Sequence, residues 1–462
     1  MSDLFSFSSM KTAASKNPIS PPQDLISGHL RGFAQDPLVF LTDCARNYGD
    51  VVPLRMLYKR AFLLANPGDI ERVFVTDHAK FRKPDWLRTP AVRRLLGDSL
   101  VTGEGEVWSR PRLASQPAFH ARLMESYGHS ISTLTQKMLQ NWNPGETRDI
   151  QRDMTHLTLE IIAKTLFRAE GNRWVEAVGE AMDTLMVRFG SRRNLFGMIP
   201  YPPSPKELGA VDQINKAVDE LIALHDLALL QERGTFTENS VDLISVLRES
   251  ETEKGPEVAR LQLREHLKTF LAAGYESSSL TLSWAFLLLA QHPEAKNRLT
   301  EELTEVLNGK PPTPEDLPRL VYTRALIRET MRLYSPLWMT GRQAITSLEI
   351  DGFVIPKGAL VMTSQWAMHR HPRYFPCPDE FLPERWLGEE INSLPRYAYF
   401  PFGGGPRVCI GQSFAMMELV LVLATIAQKF TLDLATDTEI KPWATMMLRP
   451  SSRIVLRLST SP

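Results

Sequence analysis

The sequence predicts a single large, mainly α-helical domain with a small β-rich portion. From about residue 123 to residue 307, apolar residues recur at helical spacing over most of the chain. Short apolar runs bounded by turn residues lie near the N-terminus and again at residues 345–361. Neither an internal repeat nor a Gly/Ser-rich linker divides the 462 residues. One domain is therefore expected despite the length of the chain.

The composition is typical of a globular protein, with 43% hydrophobic and 23% charged residues. The 53 basic and 53 acidic residues cancel, so no overall positive field favours nucleic acid, and we expect no such partner. Cys44, Cys377 and Cys409 lie far apart, which predicts neither a disulfide framework nor a zinc-binding pair.

The first 25 residues contain Ser, Lys and Pro with few apolar residues, and we expect a flexible segment ahead of a domain of residues 26–462. This segment has no apolar run of about 18 residues and no signal-peptide core. We therefore expect no membrane anchor and a cytoplasmic location. A monomer is the default expectation.

The elements follow from local signals in chain order. Residues 51–54 and 61–65 are predicted strands, and the Asn-Pro-Gly turn at 66–68 leads into a helix around residues 70–74. Residues 197–205 contain four prolines and are predicted to form a loop between two helices.

The longest predicted helix spans residues 261–292 and is closed by Pro293. Tyr275, Glu276 and several serines at its middle exclude a membrane span. At 1.5 Å per residue, a helix of about 30 residues crosses an entire domain. The elements predicted after it are helices at 293–307 and 320–334, strands within 345–361, coil at 372–395 and a last helix at 411–430.

The most specific signal is the segment FPFGGGPRVCIG at residues 400–411. Its glycines let the backbone approach a flat cofactor closely. Backbone amides at the start of the helix near Gly411 would stabilise a thiolate at Cys409. Arg407 could pair with an acidic edge of the cofactor. The alternatives are a glycine turn with a buried free cysteine and a phosphate loop, although a phosphate loop would need a Lys-Ser or Lys-Thr pair.

The pattern FxxGxRxCxG from Phe402 to Gly411 resembles the haem-binding loop of the cytochrome P450 family. The resemblance implies the cytochrome P450 fold, a single domain enclosing haem b. It also implies that Cys409 is the ligand of the haem iron, with Phe402, Gly403 and Gly411 among the residues that hold the cofactor.

Two further segments extend the resemblance. Glu329-Thr330-Met331-Arg332 is similar to the ExxR of the family, and Pro383-Glu384-Arg385-Trp386 is similar to its PERF element. The resemblance implies a buried ionic cluster of Glu329, Arg332 and Arg385. The alternative for an isolated ExxR is an ordinary surface pair at i,i+3.

The segment AGYESS at residues 273–278 lies at the centre of the longest predicted helix and resembles the AGxDTT segment of the family. The resemblance implies that Glu276 and Ser277 deliver protons to iron-bound dioxygen and that Gly274 leaves room for oxygen. Serine replaces the commoner threonine and lacks the methyl group that restricts rotamers. The alternative for Ser277 is a hydrogen bond back to a helix carbonyl.

Haem carries two propionates, which need cationic or hydrogen-bonding partners. Trp108 and Arg112 resemble the WxxxR pair of the family, and Arg342 lies where the family often places another propionate ligand. Together with Arg407, these residues are the predicted propionate partners. A surface or packing role is the alternative for each of them.

The substrate pocket is predicted from position in the family. Its candidate lining residues are Ala273, Trp338, Met339, Met446 and Met447. This apolar, adaptable lining predicts a hydrophobic small molecule such as a fatty acid, terpenoid or steroid-like compound. The loop at 196–205 is a candidate lid.

The resemblance implies a haem-thiolate monooxygenase that inserts one oxygen atom of O2 into its substrate. About 50 residues follow Cys409, so we expect electrons from NAD(P)H to arrive through a separate ferredoxin reductase and ferredoxin. The ferredoxin would dock near Arg110 and Arg122. The alternatives are a haem-thiolate peroxygenase or isomerase and a non-enzymatic haem-binding sensor or carrier.

Overall fold

A computed structural model describes residues 20–169, 175–190, 203–231, 242–251, 255–435 and 439–461. Helices dominate these ranges, which confirms the predicted fold class. The helices are α1 Leu30–Gln35, α2 Pro37–Asn47, α3 Pro67–Glu71, α4 Pro90–Leu96, α5 Glu106–Ser115, α6 Ala121–Leu139, α7 Ile150–Leu166, α8 Val175–Gly190, α9 Pro205–Gln231, α10 Leu243–Glu251, α11 Pro256–Gln291, α12 Pro293–Leu307, α13 Val321–Leu333, α14 Gln365–Met368 and α15 Gln412–Lys429.

The β-rich portion consists of short strands in four small sheets. The strands are β1 Val51–Met56, β2 Lys59–Leu64, β3 Phe81–Arg82, β4 Thr147–Asp149, β5 Thr340–Ala344, β6 Leu348–Ile350, β7 Phe353–Ile355, β8 Leu360–Thr363, β9 Phe430–Leu434, β10 Pro442–Ala444, β11 Leu448–Pro450 and β12 Val455–Thr460. The main sheet has the order β1-β2-β8-β5-β3, in which only the β2–β8 pair is parallel. The other sheets are β4-β12-β9, β10-β11 and β6-β7.

Helix boundaries follow capping and proline signals. The Asp36 carboxylate accepts hydrogen bonds from the amides of Leu38 and Val39, both at 3.0 Å, and so caps α2. Asn66 caps α3 in the same way through the amide of Gly68. The predicted helix around 70–74 is α3 continued by a π-helical turn, Arg72–Thr76.

Helix α11 is the axis of the fold. It starts with Pro256 in its first turn, which is five residues earlier than predicted, and it ends one residue before His292. It packs on α7, α9, α10, α13 and α15. Most of its central residues are buried, including Tyr275, Glu276 and Leu280.

The segment predicted as strand, turn and strand at 345–361 is resolved into the β6–β7 hairpin and the start of β8. Asp351 and Gly352 supply the hairpin turn with φ values of 46° and 74°. The segment predicted as coil at 372–395 contains two short 3-10 helices, Pro383–Trp386 and Glu389–Ser393.

Two large apolar clusters form the core. One surrounds α7, α11 and α15, and the other lies between the main sheet and helices α1 and α2. In the described ranges, we find no helix with the length and apolar character needed to cross a membrane. Residues 196–202 of the loop predicted as a lid lie outside the described residues. Residues 1–19 lie outside them as well.

Candidate functional site

The cysteine loop is a tight turn that leads into α15. The Cys409 amide donates to the Phe402 carbonyl at 3.0 Å, and the Gly403 amide donates to the Phe400 carbonyl at 2.9 Å. Gly405 has a φ of +64°, and a Cβ at this position would lie 1.8 Å from the Phe74 carbonyl oxygen. Only glycine fits there, so the loop is fixed against the neighbouring π-helical turn.

Cys409 combines an accessible thiol with a desolvating environment. The side chain is exposed at the surface of the loop. The surrounding protein atoms nevertheless desolvate the thiol and raise its pKa, while the Gly411 amide and the Arg112 guanidinium oppose that rise. Gly411 is the N-cap residue of α15, so the helix start stabilises the thiolate as the sequence predicted.

At the centre of α11, one narrow stripe remains accessible. Ala273 is exposed and Gly274 and Ser277 are half-buried, whereas the residues between and after them are buried. The Ser277 hydroxyl donates to the Ala273 carbonyl at 2.9 Å. The back-bonded arrangement, which was the alternative for this serine, is thus the one observed, and it keeps the hydroxyl on the accessible stripe.

Gly274 has a packing role that the sequence did not indicate. A Cβ at this position would lie 2.6 Å from Cδ1 of Ile162 on α7. The space in front of Gly274 is therefore filled by a neighbouring helix. Close packing of α7 on α11 accounts for this glycine, and the room for oxygen stays a prediction.

Glu276 points to an arginine instead of Ser277. Its Oε1 accepts hydrogen bonds from Nε and Nη2 of Arg449 on β11, at 2.9 and 2.7 Å. Burial raises the pKa of the Glu276 carboxyl, and the Arg449 guanidinium opposes that rise. The acid and the alcohol are sequence neighbours, but they have different hydrogen-bond partners.

The predicted ionic trio is assembled behind α13. Arg332 donates from Nε and Nη2 to the two carboxylate oxygens of Glu329, at 2.9 and 2.8 Å. Arg385 donates from Nε to Oε1 of Glu329 at 2.9 Å. Glu329 and Arg332 are fully buried, so the surface-pair alternative does not apply.

The trio also fixes backbone that carries no regular structure. Arg332 donates to the carbonyls of His369, Pro378 and Glu380 at 2.6–2.8 Å. The Trp386 indole adds a bond of 2.8 Å to Oε2 of Glu329. One buried carboxylate and one guanidinium thus hold the segment between α14 and the cysteine loop.

A group of cations surrounds one carboxylate beside the cysteine loop. Arg407 is paired with Glu104, and its guanidinium lies 4.7 Å from the Trp108 ring centroid. Arg342 stacks 5.0 Å above the Phe74 ring. Desolvation, followed by repulsion from Arg407, lowers the pKa of Arg342 to about 10. These positions are close enough for the cations to repel one another.

Lys83 belongs to the same group, although no motif pointed to it. Its ammonium donates to the carbonyls of Leu100 and Gly103, at 2.5 and 2.9 Å. Desolvation, and then repulsion from Arg407, lowers its pKa to about 7. A lysine before Pro84 resembles any surface residue in the sequence, so only the tertiary structure reveals it.

This charge distribution fits haem. Lys83, Arg342 and Arg407 lie near the carboxylate of Glu104, which leaves a surplus of positive charge. Haem carries two propionates, and Nη1 of Arg407 is buried without a hydrogen-bond partner among the described residues. Arg112 adds a further cation near Cys409. The donor set therefore suits a dianionic, flat cofactor whose iron takes a thiolate.

The predicted pocket residues separate into two groups. Ala273 is exposed on the α11 stripe, and Met339, Met446 and Met447 are only partly buried. Trp338 forms the second group, and its place in the pocket stays a prediction. It is buried in the core beside the main sheet, where its indole donates to the Thr445 carbonyl at 2.9 Å. A buried indole N–H needs a hydrogen-bond acceptor, and here the backbone supplies one.

The sequence model of the family described as cytochrome P450 matches residues 18–458, nearly the whole chain. This chain belongs to the cytochrome P450 family. The P450 is a haem-thiolate monooxygenase that acts on hydrophobic substrates. Family membership also establishes haem as its cofactor.

Several similar proteins of known name come from Streptomyces. The P450 is 33% identical to cyclooctat-9-en-7-ol 5-monooxygenase of Streptomyces melanosporofaciens, over 88% of this chain and 87% of that one. It is 29% identical to cyclooctatin synthase of the same organism, over 97% of both chains. Pentalenene oxygenase of Streptomyces avermitilis is also 29% identical, over 94% of this chain and 95% of its own.

Residues that sequence reasoning missed in this P450 share one property: their partners are distant in sequence. Lys83, Glu104 and Arg449 are examples. Arg449 alone carried a signal, since a charged residue directly after the apolar stretch Met446-Met447-Leu448 needs a buried partner.

Proposed function

We propose that this P450 hydroxylates a terpenoid, because three of its relatives are named for cyclic terpenoid compounds. The three relatives are a cyclooctat-9-en-7-ol monooxygenase, a cyclooctatin synthase and a pentalenene oxygenase. A rigid hydrocarbon skeleton suits an apolar site with few polar anchors.

The accessible stripe of α11 is the observation that carries this proposal. Ala273 presents a methyl group there, and Ser277 is the one hydroxyl among the three accessible positions. Met339, Met446 and Met447 add partly buried thioethers that adapt to irregular shapes. Leu337, which is 37% exposed, is a further apolar candidate in the predicted lining stretch.

The division of labour follows from the site. When bound, haem with a thiolate ligand supplies the oxygen-activating redox chemistry. Arg112, Arg342, Arg407 and Trp108 hold its propionates, and Cys409 supplies the sulfur. Glu276 and Ser277 hold and move the protons that oxygen activation consumes. The apolar lining orients the substrate and excludes water.

The electrons come from NAD(P)H through a ferredoxin reductase and a ferredoxin, in the cytoplasm. Arg110 lies on α5, the helix that also carries Trp108 and Arg112, and Arg122 lies at the start of α6. Positive charge at this face would attract an acidic electron carrier.

The test is substrate titration followed by turnover. The haem-loaded ferric enzyme is titrated with a cyclic terpene, a terpene alcohol, a long-chain fatty acid and a steroid, and the spin-state shift of the Soret band is recorded. We expect the shift to be largest for the terpenoids. With ferredoxin, reductase, NAD(P)H and 18O2, the product should carry one 18O atom.

Two outcomes would contradict the proposal. A spin-state shift with fatty acid or steroid but with no terpenoid would overturn the substrate class. Equal product formation with hydrogen peroxide alone, or no dependence on NAD(P)H and redox partners, would favour the peroxygenase alternative.

A further inference from the structure

Arg449 links the proposed proton-delivering acid to the protein surface. Its guanidinium donates twice to Oε1 of Glu276, and its Nη1 donates to Oδ1 of Asp183 at 2.9 Å. The Arg449 side chain is only 8% exposed. One guanidinium is therefore shared by two carboxylates.

The three residues lie on three different elements: Asp183 on α8, Glu276 on α11 and Arg449 on β11. The Asp183 side chain is 60% exposed, whereas that of Glu276 is 3% exposed. The cluster thus runs from solvent to the centre of α11, one residue before Ser277.

A fourth polar group beside the cluster lacks a partner. The Tyr275 hydroxyl is buried and makes no hydrogen bond among the described residues. Glu276, Arg449 and Asp183 all act electrostatically on this hydroxyl. A buried polar atom next to charged groups is the usual setting for an ordered water molecule, which would extend the path between the two carboxylates.

We propose that Asp183 is the solvent end of the path by which protons reach Glu276, and that Arg449 is the positioning residue that holds Glu276 on that path. The inference rests on the proposed function, because it assumes that Glu276 supplies protons during turnover. Arginine keeps its own proton, so Arg449 relays none. Protons pass from solvent at Asp183 to the Glu276 carboxylate through water beside the Tyr275 hydroxyl. Glu276 then passes them on toward Ser277.

The two neighbours of Glu276 act on it in opposite directions. The Arg449 guanidinium lowers the pKa of Glu276, and the Asp183 carboxylate raises it. Removing Arg449 would leave a buried carboxylate without a counter-charge, which favours its protonation. Without the Asp183 charge, the Arg449 guanidinium would pair with Glu276 alone, which favours the ionised form of Glu276. Electrostatic coupling alone accounts for these opposite shifts, so turnover is measured as well to separate a proton path from a structural cluster.

The first experiment measures the protonation of Glu276 directly in the haem-loaded ferric enzyme. The infrared band of a protonated buried carboxyl is assigned by its loss in E276Q and is then titrated with pH. We expect its midpoint to move to higher pH in R449M and to lower pH in D183N. R449K, which keeps the charge, should lie close to wild type. E176Q is the matched control, since Glu176 is also an exposed carboxylate on α8, paired with Arg152.

The second experiment measures turnover with redox partners. R449M should lower product formed per NAD(P)H by about tenfold or more, a part of the roughly hundredfold or greater contribution of proton transfer by a positioned group. D183N should lower the turnover rate and make it depend on buffer concentration, because a diffusible acid replaces the entry carboxylate. R449K should restore most of the loss, and E176Q should match wild type.

The outcomes separate this inference from the proposed function. Unchanged coupling in E276Q would overturn proton delivery by Glu276, and this inference with it. A coupling loss in E276Q, together with unshifted carboxyl bands and wild-type turnover in D183N and R449M, would overturn this inference alone. The reduced carbon monoxide spectrum of each variant shows that it is folded and haem-loaded.

Discussion

Ser277 shows how much of the proposed chemistry depends on one side chain. Its hydroxyl lies on the accessible stripe of α11 and is bonded back to the Ala273 carbonyl. Serine has three accessible rotamers where threonine is restricted by its methyl group. The hydroxyl must leave the carbonyl to take part in proton transfer, and serine can do so by rotation about a single bond.

We therefore expect Ser277→Ala to divert reducing equivalents from product to hydrogen peroxide, by roughly tenfold or more. Ser277→Thr is the matched control because it keeps the hydroxyl, and it should couple at least as well as wild type. Product and peroxide formed per NAD(P)H are the quantities to measure. Equal coupling in Ser277→Ala and wild type would remove Ser277 from the relay.

Glu418 is a second buried acid, on the face of α15 that meets α11. The Ser278 hydroxyl donates to its Oε2 at 2.5 Å, and its Oε1 has no partner among the described residues. Burial without a counter-charge raises the pKa of the Glu418 carboxyl to about 8, and the Ser278 bond opposes that rise. The folded protein therefore holds this group neutral at pH 7.

This shift has a defined effect on stability. The folded-state pKa of about 8 lies above the ordinary value of 4.5. The contribution of Glu418 to folding stability is therefore fully present below about pH 4.5. The contribution is lost as the pH rises toward 8, with a slope of at most about 1.4 kcal/mol per pH unit. Glu418→Gln should remove this slope. Thermal midpoints of the haem-loaded protein between pH 5 and 8 measure it, and equal slopes in both proteins would contradict the assignment.

At the scale of elements, the Glu329 cluster ties α13 to a long irregular segment. Glu329 accepts bonds from Arg332, Arg385, Trp386 and the Leu382 amide. Because Glu329 and Arg332 are fully buried, either of them would lack solvation if its partner were removed. The segment leading to the cysteine loop therefore depends on a single carboxylate for its position.

We expect Glu329→Gln to destabilise the protein by about 3–5 kcal/mol and to weaken haem retention. Glu384→Gln is the matched control in the same region. Glu384 is 45% exposed and pairs with Arg298, and an exposed pair is worth about 1 kcal/mol or less. Unfolding midpoints and haem content measure both effects, and equal losses in the two variants would disprove the structural role of the cluster.

Elements with strong local signals were predictable from the sequence. Proline positions fixed the end of α11 and the start of α12, and Asp351-Gly352 fixed a hairpin turn. The start of α11 was predicted five residues too late, because the mixed sequence of residues 256–260 shows no clear apolar periodicity. Boundaries of this kind depend on tertiary packing.

Across the whole molecule, the site residues divide in the same way. Those that lie in contiguous motifs, such as Cys409, Glu329 and Arg332, could be named from the sequence. The sequence does not distinguish Trp338, which is buried in the core, from Met339, which is only partly buried against it, because tertiary packing decides the burial of each. Lys83 and Arg449 find their partners through the fold alone.

Docking of an electron carrier is also a property of the whole molecule. The double variant Arg110→Glu and Arg122→Glu should slow reduction by a ferredoxin at low salt, with a smaller effect at high salt because charge attraction is screened. Arg31→Glu, an exposed charge change on α1 beside the main sheet, is the control. Stopped-flow reduction under carbon monoxide measures the rate, and unchanged rates would place the docking face elsewhere.

The central claim is that Cys409 is the thiolate ligand of a haem iron. The most direct measurement is the difference spectrum of the dithionite-reduced protein with and without carbon monoxide. The account predicts a strongly red-shifted Soret band in wild type and its loss in Cys409→His with haem still bound. A haem-loaded, folded wild type without the shifted band, or a Cys409→His variant that keeps it, would contradict the assignment.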